Sequence, residues 1–493
     1  MKKLSPIMLA GTGSDVGKSI IATGLCRIFL QDGYNPAPFK AQNMALNSYA
    51  TPDGFEIGRA QAVQAEAAGI PCHTDMNPVL LKPSGNHTSQ VVLCGKPVGN
   101  RDAYDYFRRD GNNELREIVT DSFKRLSQKY NPIVMEGAGS ISEINLRETD
   151  IVNMPMAKAA DASVLLVADI DRGGVFASVY GSIMLQYPED RSRIKGVIIN
   201  KFRGDMRLFE QGRRMMEEIC GVPVLGVVPY LSGIHIDEED SVALQGKKHK
   251  SEEGKINIAV IKLKHISNYT DFNVLESHPL VNLYYTSSLE EIEKGDVIVV
   301  PGTKATIDDL RFIKESGIAD AILSAHKKGK QIIGICGGYQ ILGEEVADPE
   351  GIEGVAGAVE GLGLLPVKTI LAKEKATRQV EFYFLENERL CKGYEIHQGI
   401  TESVCEVVHP NKTISGSCDG VMTDNGCIGT YIHGFLDNPA VIEHILKPFI
   451  KGENAGIDFD YTSFRERQYN LLADELRRYI DIDAIYKIMG RDD

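Results

Sequence analysis

Short apolar runs alternate with longer stretches of helical periodicity along the first half of the chain. Ile7–Ala10, Ile133–Met135, Val164–Ala168, Val197–Ile199 and Val224–Val228 have the continuous apolar character of strands buried on both faces. Between them, Ser19–Leu30, Ile57–Ala68, Glu114–Gln128, Phe176–Leu185 and Leu208–Ile219 carry apolar residues at helical spacing. Buried strands separated by helices predict an α/β fold with a parallel sheet covered on both faces. From His235 to Lys255 the chain turns polar, with Asp237, Glu238, Glu239 and Asp240 followed by Lys247, Lys248 and Lys250, which predicts a linker. A second α/β alternation follows. Its strands are Ile256–Ile261, Val297–Val300, Ile332–Ile335 and Ile428–Ile432, and its helices lie near Asp308–Ser316, Ala319–His326 and Val441–Ile450. An amphipathic helical tail, Phe464–Ile488, closes the chain. The expected division is a first domain over 1–234, a linker over 235–255 and a second domain over 256–493.

Composition narrows the classes. At 493 residues the chain has room for roughly two to four domains. With 43% apolar and 25% charged residues, it lies far from disordered or fibrous compositions. A net charge of -14 repels phosphate backbones and anionic lipid, so neither nucleic acid nor a membrane is expected as a partner. Nine cysteines without CxxC or paired metal-ligand spacing fit a reducing cytoplasm, with neither disulfide nor zinc expected. The basic start Met1-Lys2-Lys3 mimics a signal peptide, but its apolar run stops at Gly11 and reads as a strand. No apolar stretch approaches the roughly 20 residues of a membrane helix. A cytoplasmic location is expected, and a homo-oligomer is left open.

The first chemistry-bearing motif follows the first strand. Gly11-Thr12-Gly13-Ser14-Asp15-Val16-Gly17-Lys18-Ser19 opens a helix. Glycines let successive backbone N–H groups curl round phosphate oxygens, Lys18 neutralises the β and γ phosphates, and the Ser19 hydroxyl suits Mg²⁺. The first glycine stands one residue early for the strict motif, because Thr12 occupies its place. A carboxylate at a strand end, Glu136 in Glu136-Gly137-Ala138-Gly139-Ser140, can reach the same Mg²⁺. Asp150 either helps place Mg²⁺ or caps a helix. ATP and Mg²⁺ are therefore the expected cofactors, with Gly13, Val16, Gly17, Lys18 and Ser19 as the phosphate cradle.

The second motif is Gly334-Ile335-Cys336-Gly337-Gly338-Tyr339-Gln340, a strand running into a helix. A Cys on that turn is exposed near a helix N-terminus that favours thiolate, and the glycines permit a tight backbone. His433, in Gly429-Thr430-Tyr431-Ile432-His433-Gly434, is the expected base. Pro301-Gly302-Thr303-Lys304 offers backbone N–H groups for an oxyanion.

These motifs carry resemblances. The first loop resembles dethiobiotin synthetase and its relatives, which activate carboxylates with ATP, and implies that Asn200 reads the adenine edge beside the strand Gly226-Val227-Val228-Pro229. A partition ATPase would have Lys where Gly13 stands. The Cys336 and His433 pair resembles class I glutamine amidotransferases, of flavodoxin-like α/β fold, which release ammonia from glutamine. Their usual Glu two residues after the His is replaced by Phe435, so the group that orients His433 is open between Asp437 and Glu395. The cobalamin branch of those enzymes also lacks that Glu. Longer segments, Pro38–Ser48, Glu56–Gln61, Asp75–Pro83, Glu143–Leu146, Asp150–Met154, Asp169–Phe176, Asn200–Gly204 and Gly393–His397, resemble the cobyric acid synthases. That resemblance implies ATP-dependent, glutamine-dependent amidation of adenosylcobyrinic acid a,c-diamide at its b, d, e and g carboxylates. Cobalt enters only as part of the corrinoid substrate.

The resemblance also suggests substrate contacts. Gln42, Asn43, Asn47 and Ser48 form a polar cluster expected beside the phosphate loop, and Lys40, Arg59 and Lys82 are candidates to neutralise carboxylates. Ammonia must travel neutral and shielded from water. Three other readings compete: the a,c-diamide synthase of the same pathway, a lipid-linked cell-wall amidotransferase, and a nucleotide-switch scaffold with a degenerate glutaminase. The Lys40-Ala41-Gln42-Asn43-Met44-Ala45 stretch argues against the first, and a fused chain without a cysteine cluster against the second. Retention of Lys18 and Cys336 argues against the third.

Overall fold

In a computed structural model of the chain, residues 3–83, 88–102, 112–237, 246–354, 356–385, 387–450 and 459–491 are described. Glu238, Glu239 and Asp240 of the expected linker lie outside them. The chain divides into two compact units.

The first unit holds residues 1–45, 57–236 and 463–493. Its six-stranded sheet runs in the order Val224–Pro229, Ile194–Phe202, Ser163–Asp169, Ile7–Gly11, Ile133–Glu136 and Ala37–Phe39, and every pairing is parallel. Near-continuous burial along these strands explains their unbroken apolar runs. A smaller sheet, Gln42–Met44, Val79–Pro83, Thr88–Leu93 and Lys96–Asp102, has no counterpart in the apolar runs because its strands alternate or carry polar residues. The phosphate-loop helix Lys18–Gln31 buries Ile21, Leu25, Cys26, Ile28 and Phe29.

That helix packs on the C-terminal helices, which the sequence division had placed with the second domain. Leu472, Ala473, Leu476, Ile480, Ile485, Tyr486 and Met489 share one apolar core with Leu9, Ile21, Leu25 and Phe29. A side chain at Gly24 would collide with Leu476, so the two helices meet over a glycine. Arg27 bonds Glu466 at 2.6 Å, and Arg477 bonds Asp32 at 2.6 Å. The tail is also two helices rather than one, Tyr461–Tyr479 and Ile482–Ile488. The break is set by Asp481, whose N–H donates to Leu225 O at 2.8 Å while its carboxylate caps Ala484 N at 2.9 Å.

The second unit holds residues 46–56 and 237–462. Polar residues after 246 expected in the linker are engaged here: Lys247 pairs with Glu276 at 2.7 Å, and Ser251 N donates to Glu291 at 2.8 Å. The central sheet runs Val281–Thr286, Ile256–Ile261, Val297–Val300, Gln331–Ile335, Cys427–Thr430 and Val421–Met422; only the last strand is antiparallel. A second sheet is built round the long hairpin Val367–Phe384 and Leu390–Ser403, on which Ile432–His433 pairs antiparallel. Alternating exposure along Val367–Leu371 matches a half-covered antiparallel sheet.

Candidate active sites

Both sites form where they should in open parallel sheets, beyond the carboxyl ends of central strands. In the first unit, the loop after Ile7–Gly11 curls with Asp15 and Gly17 at φ 55 and 96. Lys18 reaches across it, its Nζ donating to Gly13 O and Gly139 O at 3.0 Å each. A Cβ at Gly17 would overlap Asn200 Nδ2, which instead donates to Val16 O at 2.9 Å. Asn200 is thereby tied to the loop backbone through the amide that the resemblance assigned to adenine. The glycine at 17 serves two ends, the left-handed turn and that close approach.

Glu136 ends its strand fully buried. One oxygen accepts from Ser19 Oγ at 2.8 Å and Lys40 Nζ at 3.0 Å, and the other from Gln64 Nε2 at 2.7 Å. Burial alone would raise its pKa, but Lys40, Gln64, Ser19 and Lys18 outweigh it and hold the carboxyl below its ordinary value. A hydroxyl and a carboxylate meeting between lysines are hard oxygen donors, which fit Mg²⁺ completed by phosphate and water.

The remaining predicted residues fall around this carboxylate or apart from it. Asn43 is buried and donates to Gln61 Oε1 at 2.9 Å, on the helix Arg59–Ala67 that also carries Gln64. Gln42 is half-buried on the same short strand. Ser48 belongs to the second unit, where its backbone bonds Asn268 and its hydroxyl bonds Glu56 at 2.8 Å. Asn47 belongs there too, so the expected polar cluster is divided. Lys40, Arg59 and Lys82 are 6%, 6% and 4% exposed, so none is a solvated surface charge. Asp150 accepts from Val152 N at 2.7 Å and Asn153 N at 3.0 Å. Asn153 in turn clasps Ala138 through N–H and C=O, at 3.1 and 3.0 Å. Asp150 thus shapes the turn that supports the loop after Glu136. Gln64 escaped the sequence reading. The Gln61 and Gln64 pair, three residues apart and both fully buried on the helix Arg59–Ala67, was the available signal.

In the second unit, Cys336 has φ 53 and ψ -112 between the strand Gln331–Ile335 and the helix Gly337–Leu342. A non-glycine residue pays for that conformation, and such strain gathers at nucleophile turns. The turn fits only with glycines behind it, because a Cβ at Gly338 would run into the carbonyl of Val300. Cys336 Sγ lies 3.6 Å from Ile396 O. Gly302, of the loop after Val297–Val300, comes so near His433 that a Cβ there would sit 3.5 Å from His433 Cε1.

His433 is buried, and its Nδ1 lies 2.7 Å from Asp271 Oδ2. The other Asp271 oxygen accepts from Gly434 N at 3.0 Å. Asp271, and neither Asp437 nor Glu395, is therefore the carboxylate on His433. Glu395 is taken by Arg378 at 2.8 Å and lies 3.5 Å from His397. Burial pushes the imidazole pKa down, but the charges of Asp271 and Cys336 overcome it and hold it up at about 10. Asp271 lies 162 residues before His433 in a polar segment without a motif, which is why the sequence does not single it out. Tyr394 stacks on His433, with ring centroids 5.3 Å apart and planes at 23°.

Among the described residues, no helix is long and apolar enough to cross a membrane. Residues 7–242 match the model of the CobQ/CobB/MinD/ParA nucleotide binding domain, and residues 257–441 that of the CobB/CobQ-like glutamine amidotransferase domain. A cobyric acid synthase of Phocaeicola vulgatus is 62% identical, with all of both chains covered. The cobyric acid synthase of Bacteroides fragilis is 61% identical, again over all of both chains. That of Salmonella typhimurium is 47% identical over 98% of each chain.

Proposed function

Since the chain belongs to the cobyric acid synthase family, we propose that it amidates the b, d, e and g carboxylates of adenosylcobyrinic acid a,c-diamide, in the cytoplasm, with ammonia drawn from glutamine. It is a glutamine-dependent amide ligase with nucleotide-binding and glutaminase domains on one chain. The observation that carries the reading is the pairing of two chemistries in that chain. One is a strained Cys336 with His433 held by Asp271. The other is a phosphate loop whose Ser19 and Lys18 converge on the buried Glu136.

In the glutaminase, the Cys336 thiolate adds to the side-chain carbonyl of glutamine, and backbone N–H groups of the 301–303 loop receive the oxyanion. The imidazolium of His433, stabilised by Asp271, gives its proton to the departing ammonia. Water, deprotonated by the same imidazole, then splits the thioester to glutamate and free thiol.

In the ligase, a substrate carboxylate oxygen attacks the γ-phosphorus of ATP, giving an acyl phosphate and ADP. Ammonia adds to that carbonyl and phosphate leaves, so each amide consumes one ATP. Lys18 neutralises phosphate charge, while Gly13, Val16 and Gly17 shape the cradle. Ser19 and Glu136 would hold Mg²⁺, which supplies charge neutralisation on the phosphates. Lys40, Arg59 and Lys82 offer buried cations to substrate carboxylates, Gln42 and Asn43 offer amides, and Asp150 positions the loop after Glu136 through Asn153.

The test is the product mass after incubation with the a,c-diamide corrinoid, Mg-ATP and glutamine. Four successive losses of about one mass unit, one per carboxyl-to-amide conversion, are expected. No mass change while ATP is hydrolysed would reject the substrate. Cys336→Ser should abolish glutamine-driven synthesis and spare synthesis from ammonium salt; loss of both would reject the division of labour.

A further inference from the structure

One continuous stretch, His265 to Phe272, braces two parts of the glutaminase. At one end it holds the oxyanion loop: Lys304 N donates to His265 O at 3.0 Å and Ser267 N donates to Gly302 O at 2.9 Å. At the other it carries Asp271 to His433. Between them stands Asn268, buried and left-handed at φ 50, whose carbonyl accepts from Asp271 N at 3.0 Å.

The Asn268 side chain makes a reciprocal clasp with the backbone of Ser48. Its Oδ1 accepts from Ser48 N at 3.3 Å, and its Nδ2 donates to Ser48 O at 2.9 Å. The same Nδ2 lies 3.0 Å from the Tyr394 hydroxyl, which itself donates to Ser48 O at 3.3 Å. Tyr394 is the ring stacked on His433, and Tyr49 packs against Tyr394 itself, with ring centroids 4.5 Å apart and planes at 59°. Segment 46–56 is further tied into this unit by the buried ion pair of Glu56 with Lys375. Yet in sequence the segment is flanked on both sides by residues of the first unit, 1–45 and 57–236.

We propose that Asn268 is a positioning residue of the glutaminase: its clasp on Ser48 makes segment 46–56 a structural part of the site, fixing Asp271, Tyr394 and the oxyanion loop together. The proposal rests on the Cys336 and His433 reading above. A buried amide that meets a backbone N–H and C=O at once has few alternatives, so its loss frees the brace at its centre.

The experiment uses the full chain. Asn268→Gly keeps the left-handed backbone and removes the clasp. Its glutaminase kcat is expected to fall about 10- to 100-fold with little change in KM for glutamine, because orientation of the base is lost while the substrate pocket stays. The rate of Cys336 alkylation should fall with it, and synthesis from ammonium salt should stay within about twofold. Tyr394→Phe, which keeps the stacked ring and loses the hydroxyl, should show a smaller fall in kcat of the same kind. Asn268→Gly with kcat and thiol reactivity within twofold of the parent would overturn the proposal, as would a change confined to KM. A parallel Cys336→Ser chain that still hydrolyses glutamine would instead overturn the site assignment beneath it. If Asn268→Gly fails to fold, Tyr394→Phe decides: an unchanged kcat overturns the proposal.

Discussion

His433 is buried beside the Asp271 carboxylate, which together with Cys336 holds its proton. Its folded pKa, about 10, lies above the ordinary 6.5. The folded state therefore binds the proton more tightly than the unfolded one. The resulting stabilisation is complete below about 6.5 and is lost as pH rises through about 10. Asp271→Asn removes the charge that holds the proton. It should cut glutamine hydrolysis by about 10²- to 10⁴-fold and move the alkaline limb of its pH profile downward, with ammonium-driven synthesis unchanged. Rates over a pH series with each nitrogen source check this. Glu136→Gln makes the opposite split. It should abolish synthesis from both nitrogen sources while glutamine hydrolysis persists, and nucleotide titration with and without Mg²⁺ should show the loss of metal dependence. The candidates Cys336, His433, Lys18, Ser19 and Glu136 stand out in the sequence because each lies in or beside a local pattern of glycines after a strand. Asp271, Gln64 and Asn268 were not, because each earns its place through a partner far away in sequence.

The helix Thr306–Glu315 follows the oxyanion loop and is capped from a distance. The Glu353 carboxyl accepts from Thr306 N at 2.6 Å and from the Thr306 hydroxyl at 3.1 Å. Burial raises its pKa to about 7, against the lowering pull of Lys304 and these hydrogen bonds. Between 4.5 and about 7 the folded chain holds a proton that the unfolded chain has released, so this group lets stability fall as pH rises through that window and then level off. Glu353→Gln should remove that component of the slope, read from thermal midpoints at pH 5, 6 and 8. The elements themselves were legible where one periodicity held along the segment: most of the parallel strands and the phosphate-loop helix match their runs, while the parallel strands Ala37–Phe39 and Val281–Thr286 were not singled out. The long hairpin Val367–Phe384 and Leu390–Ser403 was not, since its buried positions alternate with Lys368, Ile370 and other exposed residues and present no continuous apolar run.

For the molecule as a whole, chain order and structural membership diverge. Residues 463–493 complete the core of the first unit, and segment 46–56 completes the second. Removing residues 463–493 should therefore weaken ATP binding and lower the thermal stability of the nucleotide unit, although the phosphate loop is at the opposite end of the chain. Leu476→Ala, at a fully buried position against Gly24, should cost roughly 2–5 kcal/mol of the same stability. Calorimetry with and without an ATP analogue measures both; a truncated chain with unchanged ATP affinity would refute the shared core. The sequence by itself determined the two α/β chemistries, because a phosphate loop and a nucleophile turn are made by neighbours within a few residues and need particular residue types there. Only the tertiary structure decided which carboxylate holds His433, which amide holds Glu136 and which unit the two transposed segments join. Those are contacts between residues far apart in sequence, selected by burial and hydrogen-bond satisfaction rather than by any local pattern.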